Sequence, residues 1–188
     1  RAEFMDAACR ESKGTMASVL GGEVEVIRAV CAECGIDVAN YNCPGQVVIS
    51  GEVSGVEKAI ASLKEKGFRK VIPLKVAGAF HSRLMKSAGL KLKEVVDATE
   101  MQAPLCPVAQ NVTGTVTGTV EAIKANLVEQ VAGSVRWEEC VKALKDGGAD
   151  TFIEFGPGNV LTGLLKRIDG TVPGFNIGKA ADIAAFQA

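Results

Sequence analysis

His81 is the only histidine among the 188 residues. It sits in Val76-Ala77-Gly78-Ala79-Phe80-His81-Ser82, where a strand-like run gives way to a helix-like one. Histidine is the one side chain whose ordinary pKa, about 6.5, lies near neutrality, so it is this chain's natural proton shuttle. A lone histidine with a hydrogen-bonded ring nitrogen is more often a structural residue, and its neighbours must decide between the two roles. Other chemistry-bearing patterns are weaker. Cys31-Ala32-Glu33-Cys34 has the spacing of a metal or redox pair, yet it lies in a helical pattern with no second CxxC and no nearby histidine, which favours buried helix cysteines. Gly156-Pro157-Gly158-Asn159 either offers backbone N–H groups to an anion at a helix start or is simply a tight strand-to-helix turn. Glu129, Glu138 and Glu139 have the spacing of a solvated helix face.

Several chemistries lack their motifs. No serine has glycine at both −2 and +2, so a nucleophile elbow is missing from these residues. Neither GxxxxGK[ST] nor GxGxxG occurs, which argues against nucleotide and dinucleotide binding. One histidine and no clustered ligands disfavour a metal-dependent enzyme, and no cofactor is implied.

The elements that must position His81 are legible from periodicity. The first fourteen residues read as a helix end and a turn at Lys13-Gly14, and Met16 to Leu20 as a short strand closed by Gly21-Gly22. Val24, Ile27, Val30 and Cys31 recur at i, i+3, i+6 and i+7, an amphipathic helix ending at Gly35. Ile36–Asn42 and Gln46–Ser50 are strand candidates around the turn Cys43-Pro44-Gly45. Ser54 caps a second helix, with Glu57 at capping-box spacing and Val56, Ala59, Ile60 and Leu63 on its apolar face; Gly67 ends it, and Arg69–Val76 is a strand. The order βαββαβ over 15–76 is that of a ferredoxin-like subdomain.

Residues 1–14 and 77–188 read differently. The pattern predicts helices over 82–98 (Leu84, Met85, Leu92, Val95 and Val96 inward), 119–131, 136–146 and 159–168, and strands at Pro104–Val112 and Thr151–Phe155. Helices alternating with isolated apolar strands indicate an α/β unit with a parallel sheet. Its strands are too few to stand alone, so part of the sheet lies outside this sequence and an apolar patch is expected where it belongs.

Bulk properties bound the class. The chain is 47% hydrophobic and 23% charged with net charge −1, an ordinary globular composition without a basic block for nucleic acid or an anionic membrane. Apolar runs are too short to span a bilayer, and the first residues lack the apolar stretch of a signal peptide. Six scattered cysteines read as reduced thiols of an intracellular or organellar compartment. Any transit peptide would lie upstream, leaving a cytoplasmic location and a plastid or mitochondrial matrix open.

Several ordered segments carry a family resemblance. Arg1-Ala-Glu-Phe-Met-Asp-Ala7 is similar to an RxxFMxxA segment, and Asn42-Cys-Pro-Gly-Gln-Val-Val-Ile-Ser-Gly51 to an N-x-P-G-Q-V-V-I-x-G hairpin. Gly78-Ala-Phe-His-Ser82, Asn111-Val-Thr113, Gln130 with Val135-Arg-Trp137, and Glu154-Phe-Gly-Pro-Gly-Asn-Val-Leu-Thr-Gly163 continue it in order. Together they resemble the malonyl-CoA:acyl carrier protein transacylases over almost the whole chain. That resemblance implies part of an α/β-hydrolase-like acyltransferase subdomain (1–14 and 77–188) into which a ferredoxin-like subdomain (15–76) is inserted. It implies transfer of malonyl from coenzyme A to an acyl carrier protein thiol in fatty acid biosynthesis, through an acyl-serine formed by ping-pong chemistry. His81 would be the base, and the backbone carbonyl of Gln130, rather than an aspartate, would orient its ring. Arg1 would hold the malonyl carboxylate through its planar fork, and Phe80 would leave no room for an α-methyl group.

The resemblance also exposes a gap. The family's GQGxQ and GHSxG segments should precede Arg1, and with them go the nucleophile and the oxyanion donors. Loss of the serine in a comparable hydrolase costs about 10⁶-fold in kcat, so the isolated chain is expected to be inactive. Beginning with Arg rather than Met agrees with a fragment, and ending soon after the last helix favours a discrete protein over an internal synthase domain. Two alternatives stand beside this reading: a non-catalytic module that docks acyl carrier protein, and an acyltransferase domain of a polyketide or fatty acid synthase.

Overall fold

The computed structural model describes residues 1–186. The first helix, α1 (Ala2–Glu11), leads into β1 (Gly14–Leu20), α2 (Val24–Glu33), β2 (Asp37–Cys43), β3 (Gln46–Glu52), α3 (Val53–Glu65) and β4 (Lys70–Pro73). Strand alternation sorts these residues. Ala17 pairs with Ile49 and Val19 with Val47, so all four point to one face, where Ile27, Val30, Val56 and Leu63 of α2 and α3 cover them. Each such aliphatic side chain taken from water contributes about 1.5–3 kcal/mol, which fixes the register of the sheet. The opposite face carries Met16, Ala39 and Val48 and packs against Leu74 and Phe80.

A single 3₁₀ turn at Arg83–Met85 then opens α4 (Lys86–Ala98), followed by β5 (Val108–Gln110), β6 (Thr115–Thr117), α5 (Val120–Glu129) and β7 (Val135–Arg136). The chain continues through α6 (Trp137–Asp146), β8 (Phe152–Phe155), α7 (Val160–Ile168), β9 (Gly174–Ile177) and α8 (Ala180–Phe186). The result is an α/β fold with a mixed main sheet in the order β4-β1-β3-β2-β7. Its first four strands are antiparallel to their neighbours, and β7 joins parallel to β2 through Asn40↔Val135 and Tyr41↔Arg136. The sheet therefore takes its last strand from beyond residue 76. A second core of Ala8, Met85, Ala88, Leu92, Val96 and Val131 ties α1, the 3₁₀ turn, α4 and the end of α5 together. Among the described residues, no helix is long and apolar enough to cross a membrane.

Several expectations shift. Helix α3 starts at Val53 with Glu52 as its cap, so Ser54 is already inside the first turn and the expected capping box does not form. Val95 is half exposed rather than core. The expected strand Pro104–Val112 shrinks to Val108–Gln110, because Pro104 and Pro107 bring no N–H to a ladder, and it turns back in an antiparallel hairpin with β6. In the second region, the only described parallel pairing within it is β8 with β9, joined from Phe152↔Gly174 to Phe155↔Ile177. On the face away from α7, Ile153 is 36%, Phe155 75% and Phe175 46% exposed. This is an uncovered apolar surface of the kind expected there.

Candidate active site

His81 is the one described non-glycine residue with positive φ, at 55°. The turn that holds it is built by Ser82, which is fully buried. Its hydroxyl donates to Ala79 O at 2.6 Å and accepts from Leu84 N at 3.2 Å, bridging the residues on either side of His81 and capping the 3₁₀ turn. Gly78 is required for the approach of α1, since a Cβ there would lie 2.3 Å from Cys9 Sγ. That contact holds the last turn of α1 against this segment, while Arg1, Ala2 and Met5 at the start of the helix line a cavity with the histidine.

The ring's Nδ1 lies 3.0 Å from Gln130 O and 3.1 Å from Gly133 O. Carbonyl oxygens only accept, so Nδ1 carries the proton and Nε2 keeps its lone pair. Among the described residues, no carboxylate bonds the ring. Burial pushes the His81 pKa down, with the Arg1 charge adding to the fall, while the two backbone hydrogen bonds oppose it; the net direction is below the ordinary value. A neutral imidazole with a free Nε2 at neutral pH is the state a general base requires.

Two spaces open on this ring. One, of about 530 Å³, is lined by Arg1, Ala2, Met5, Met16, Phe80 and His81. The other, of about 510 Å³, has His81, Tyr41 and Ser134 in its wall together with the cations Arg28, Arg83 and Lys86. The structure thus brings His81, Gln130, Arg1 and Phe80 together, although Arg1 and Gln130 are far apart in sequence. Phe80 is half-buried between the two cores that meet here.

Sequence reasoning missed three participants. Gly133 contributes only a backbone oxygen, which any residue type has. Asp37 accepts from Arg83 N at 2.8 Å and from the guanidinium at 2.7 and 3.0 Å, clamping the segment after His81 to β2. Burial raises the Asp37 carboxyl, but the hydrogen bonds from Arg83 outweigh it and the net pKa is low. These are ordinary surface residue types, and only their pairing across 46 positions marks them.

The other sequence candidates resolve without chemistry. Cys31 is 3% exposed, and burial pushes its thiol up to about 12, far from a reactive thiolate. The start of α7 is already served by the protein's own anion: Glu154 accepts from Leu161 N at 3.0 Å and Thr162 N at 2.8 Å. The anion-binding reading of Gly156–Asn159 therefore yields to the tight turn, with Gly156 and Gly158 at φ of 125° and 91°.

No family model matches the chain. It is 45% identical over 174 residues to a malonyl CoA-acyl carrier protein transacylase of Bacillus subtilis, covering 90% of this chain and 55% of the relative. An acyl carrier protein S-malonyltransferase of Vibrio cholerae superposes with a TM-score of 0.94 at 37% identity, over 99% of this chain and 62% of the other. A malonyl-transacylase solved in complex with a type II polyketide acyl-carrier protein superposes with a TM-score of 0.92 at 36% identity, over 97% and 60% of the two chains. The chain thus spans between 55% and 62% of the length of these relatives.

Proposed function

We propose that this chain, a homologue along nearly its whole length of the malonyl CoA-acyl carrier protein transacylases, supplies the base and carboxylate-binding side of a malonyl-transfer site. The observation that carries this is His81, held by main-chain carbonyls with Nε2 free, facing a cavity that also holds Arg1 and Phe80. In the reaction Nε2 takes the proton of a serine hydroxyl as the serine oxygen attacks the malonyl thioester. The coenzyme A thiol leaves with that proton, giving a malonyl-serine ester. The carrier thiol then gives its proton to Nε2 and attacks the ester, and the serine recovers the proton. Arg1 pairs with the malonyl carboxylate through parallel hydrogen bonds, and Phe80 fills the space an α-methyl group would need.

The serine and its oxyanion donors belong to a segment outside these 188 residues, which leaves the isolated chain inactive. Support comes from the shorter length relative to the homologues and from the bare apolar face of β8 and β9. In this reading 15–76 is a ferredoxin-like subdomain, supported by the strand order β4-β1-β3-β2, inserted into an α/β-hydrolase-like unit of 1–14 and 77–188. Malonyl-CoA and acyl carrier protein are the partners. The cleft with Arg28, Arg83 and Lys86 suits an anionic phosphopantetheine arm and an acidic carrier surface. Bacterial relatives favour the cytoplasm over an organelle matrix.

The test uses the protein encoded by the complete reading frame. Incubation with malonyl-CoA should leave a malonyl ester detectable by mass, and His81→Ala should abolish its formation and transfer. Undiminished transfer by His81→Ala would overturn the assignment.

A further inference from the structure

Gln130 offers the histidine more than its main-chain oxygen. Its side-chain Nε2 donates to Gly133 O at 3.0 Å and to Ser134 O at 3.4 Å. Gly133 O is the same oxygen that accepts from His81 Nδ1. The amide nitrogen is itself 3.4 Å from Nδ1, but both groups are donors, so this is a packing contact that limits ring rotation. The next residue anchors the turn: Ser134 Oγ donates to Val38 O at 2.6 Å, fixing the segment to β2. Gly133 is closely confined too, because a Cβ there would meet Val112 Cγ2 at 2.7 Å and Glu129 O at 3.0 Å. Gln130 O belongs to the C-cap of α5, where the last helical oxygens have no intrahelical donors, and Gly133 O to the turn that follows.

We infer that the end of α5 is a two-carbonyl cradle for His81, and that the Gln130 side-chain amide is the positioning group that keeps Gly133 O in it. The inference rests on the reading of His81 as the base. A single carbonyl would leave the ring free to swing about one hydrogen bond. Two oxygens, aimed from residues 130 and 133, fix both the tautomer and the plane. Neither carries a full charge, so the cradle orients the ring without the strong rise in basicity that a carboxylate partner brings. The left-handed backbone of His81, a strained conformation for a residue with a Cβ, persists only where its surroundings hold it.

The test exploits the lone histidine: in the 188-residue chain a ¹⁵N-histidine spectrum reports His81 alone. The neutral ring should be the Nδ1–H tautomer. In Gln130→Leu, which keeps the backbone carbonyl, the Nε2–H tautomer should become substantial and the titration midpoint should rise toward the ordinary value as water reaches the ring. Ser134→Ala should move both in the same direction by loosening the anchor. In the complete protein Gln130→Leu should lower kcat on the order of 10²-fold, the usual consequence of a misplaced catalytic group, with KM little changed. Wild-type tautomer and titration in a folded Gln130→Leu, or an unchanged kcat, overturns the inference. Transfer that survives His81→Ala sinks the catalytic reading instead and leaves the cradle standing.

Discussion

Arg83 grips Asp37 through both guanidinium and backbone, with Arg83 N at 2.8 Å from Oδ2 and a terminal guanidinium nitrogen 2.7 Å from Oδ1. The pair joins the 3₁₀ turn that follows His81 to the start of β2, so it sets the spacing between the histidine segment and the sheet. With Asp37 a quarter exposed and Arg83 half exposed, its contribution to stability is about 1 kcal/mol. Arg83→Ala should lower the unfolding free energy measured by urea titration by that amount at neutral pH. Because the Asp37 pKa falls on folding, the contribution is complete above the ordinary carboxylate value of about 3.9 and disappears as pH drops through the lower folded value. Wild type and variant midpoints should converge in acid; a gap that persists there contradicts the assignment.

The pH dependence of His81 has the opposite chemistry but the same sense. Its folded pKa lies below the unfolded one, so the unfolded chain binds more protons in the window between them and stability rises with pH there. Against His81→Gln, wild type should lose stability as pH falls through about 6.5 and stop losing it below the folded pKa. In the complete protein, kcat/KM for malonyl transfer should climb with pH to a plateau, its acid limb centred below about 6.5. A limb centred above that value means the ring is stabilised as the cation.

How much of this was legible depends on range. Val47, Val48 and Ile49 form a continuous β-branched run after the Pro44-Gly45 turn, the mark of a strand buried on both faces. Strand β7 has two residues and β9 four, too short for any period, and both owe their conformation to a partner strand elsewhere in the chain. In the site, His81 stood out by type and Gln130 by motif, whereas Gly133 acts through a backbone oxygen that has no sequence signature. Asp37 and Arg83 are marked only by their proximity in the fold. The misplaced cap at Ser54 is instructive in the same way: the pattern fitted, but the chain leaves β3 directly into the helix at Val53.

Arg1 and Phe80 line the cavity beside His81, and the proposed function has them divide the labour of selectivity there. In the complete protein, Arg1→Ala should raise KM for malonyl-CoA about 10- to 100-fold, the worth of a lost charge-assisted pair, with acetyl-CoA use affected far less. Phe80→Ala should narrow the preference for malonyl over methylmalonyl about 10-fold or more, since one methyl in a filled pocket is worth about 1–3 kcal/mol. Parallel changes toward every acyl group would show that neither residue reads the substrate.

Met85 is completely buried in the core that holds α1, α4 and the end of α5 together. Met85→Ala should cost about 2–5 kcal/mol, lowering Tm by roughly 5–15 °C. This core supports both His81 and its carbonyl partners, so the ¹⁵N signal of His81 should also broaden or shift. Loss of stability with an unperturbed histidine signal would mean the site is held by the main sheet alone.

The bare face of β8 and β9 sets Phe155 beside Ile153 with Phe175 across the strand pair, and Phe186 of α8 leans on it, edge-on at 5.2 Å from the Phe175 ring. β8 also leaves an edge unpaired, a template for further strands. The proposed function has a segment outside these residues cover this face in the complete protein, and the extra length of the relatives supports that. Two opposite effects should therefore follow from Phe155→Asp. In the isolated chain it should reduce dye binding and self-association by removing apolar surface without emptying a core position. In the complete protein it should destabilise by about 2 kcal/mol or more, because the same position is then buried and a carboxylate there has no partner. Sedimentation of the isolated chain and thermal melts of the complete protein read the two effects separately. A variant that is neutral in both leaves the face without a partner and removes this support for a shared sheet.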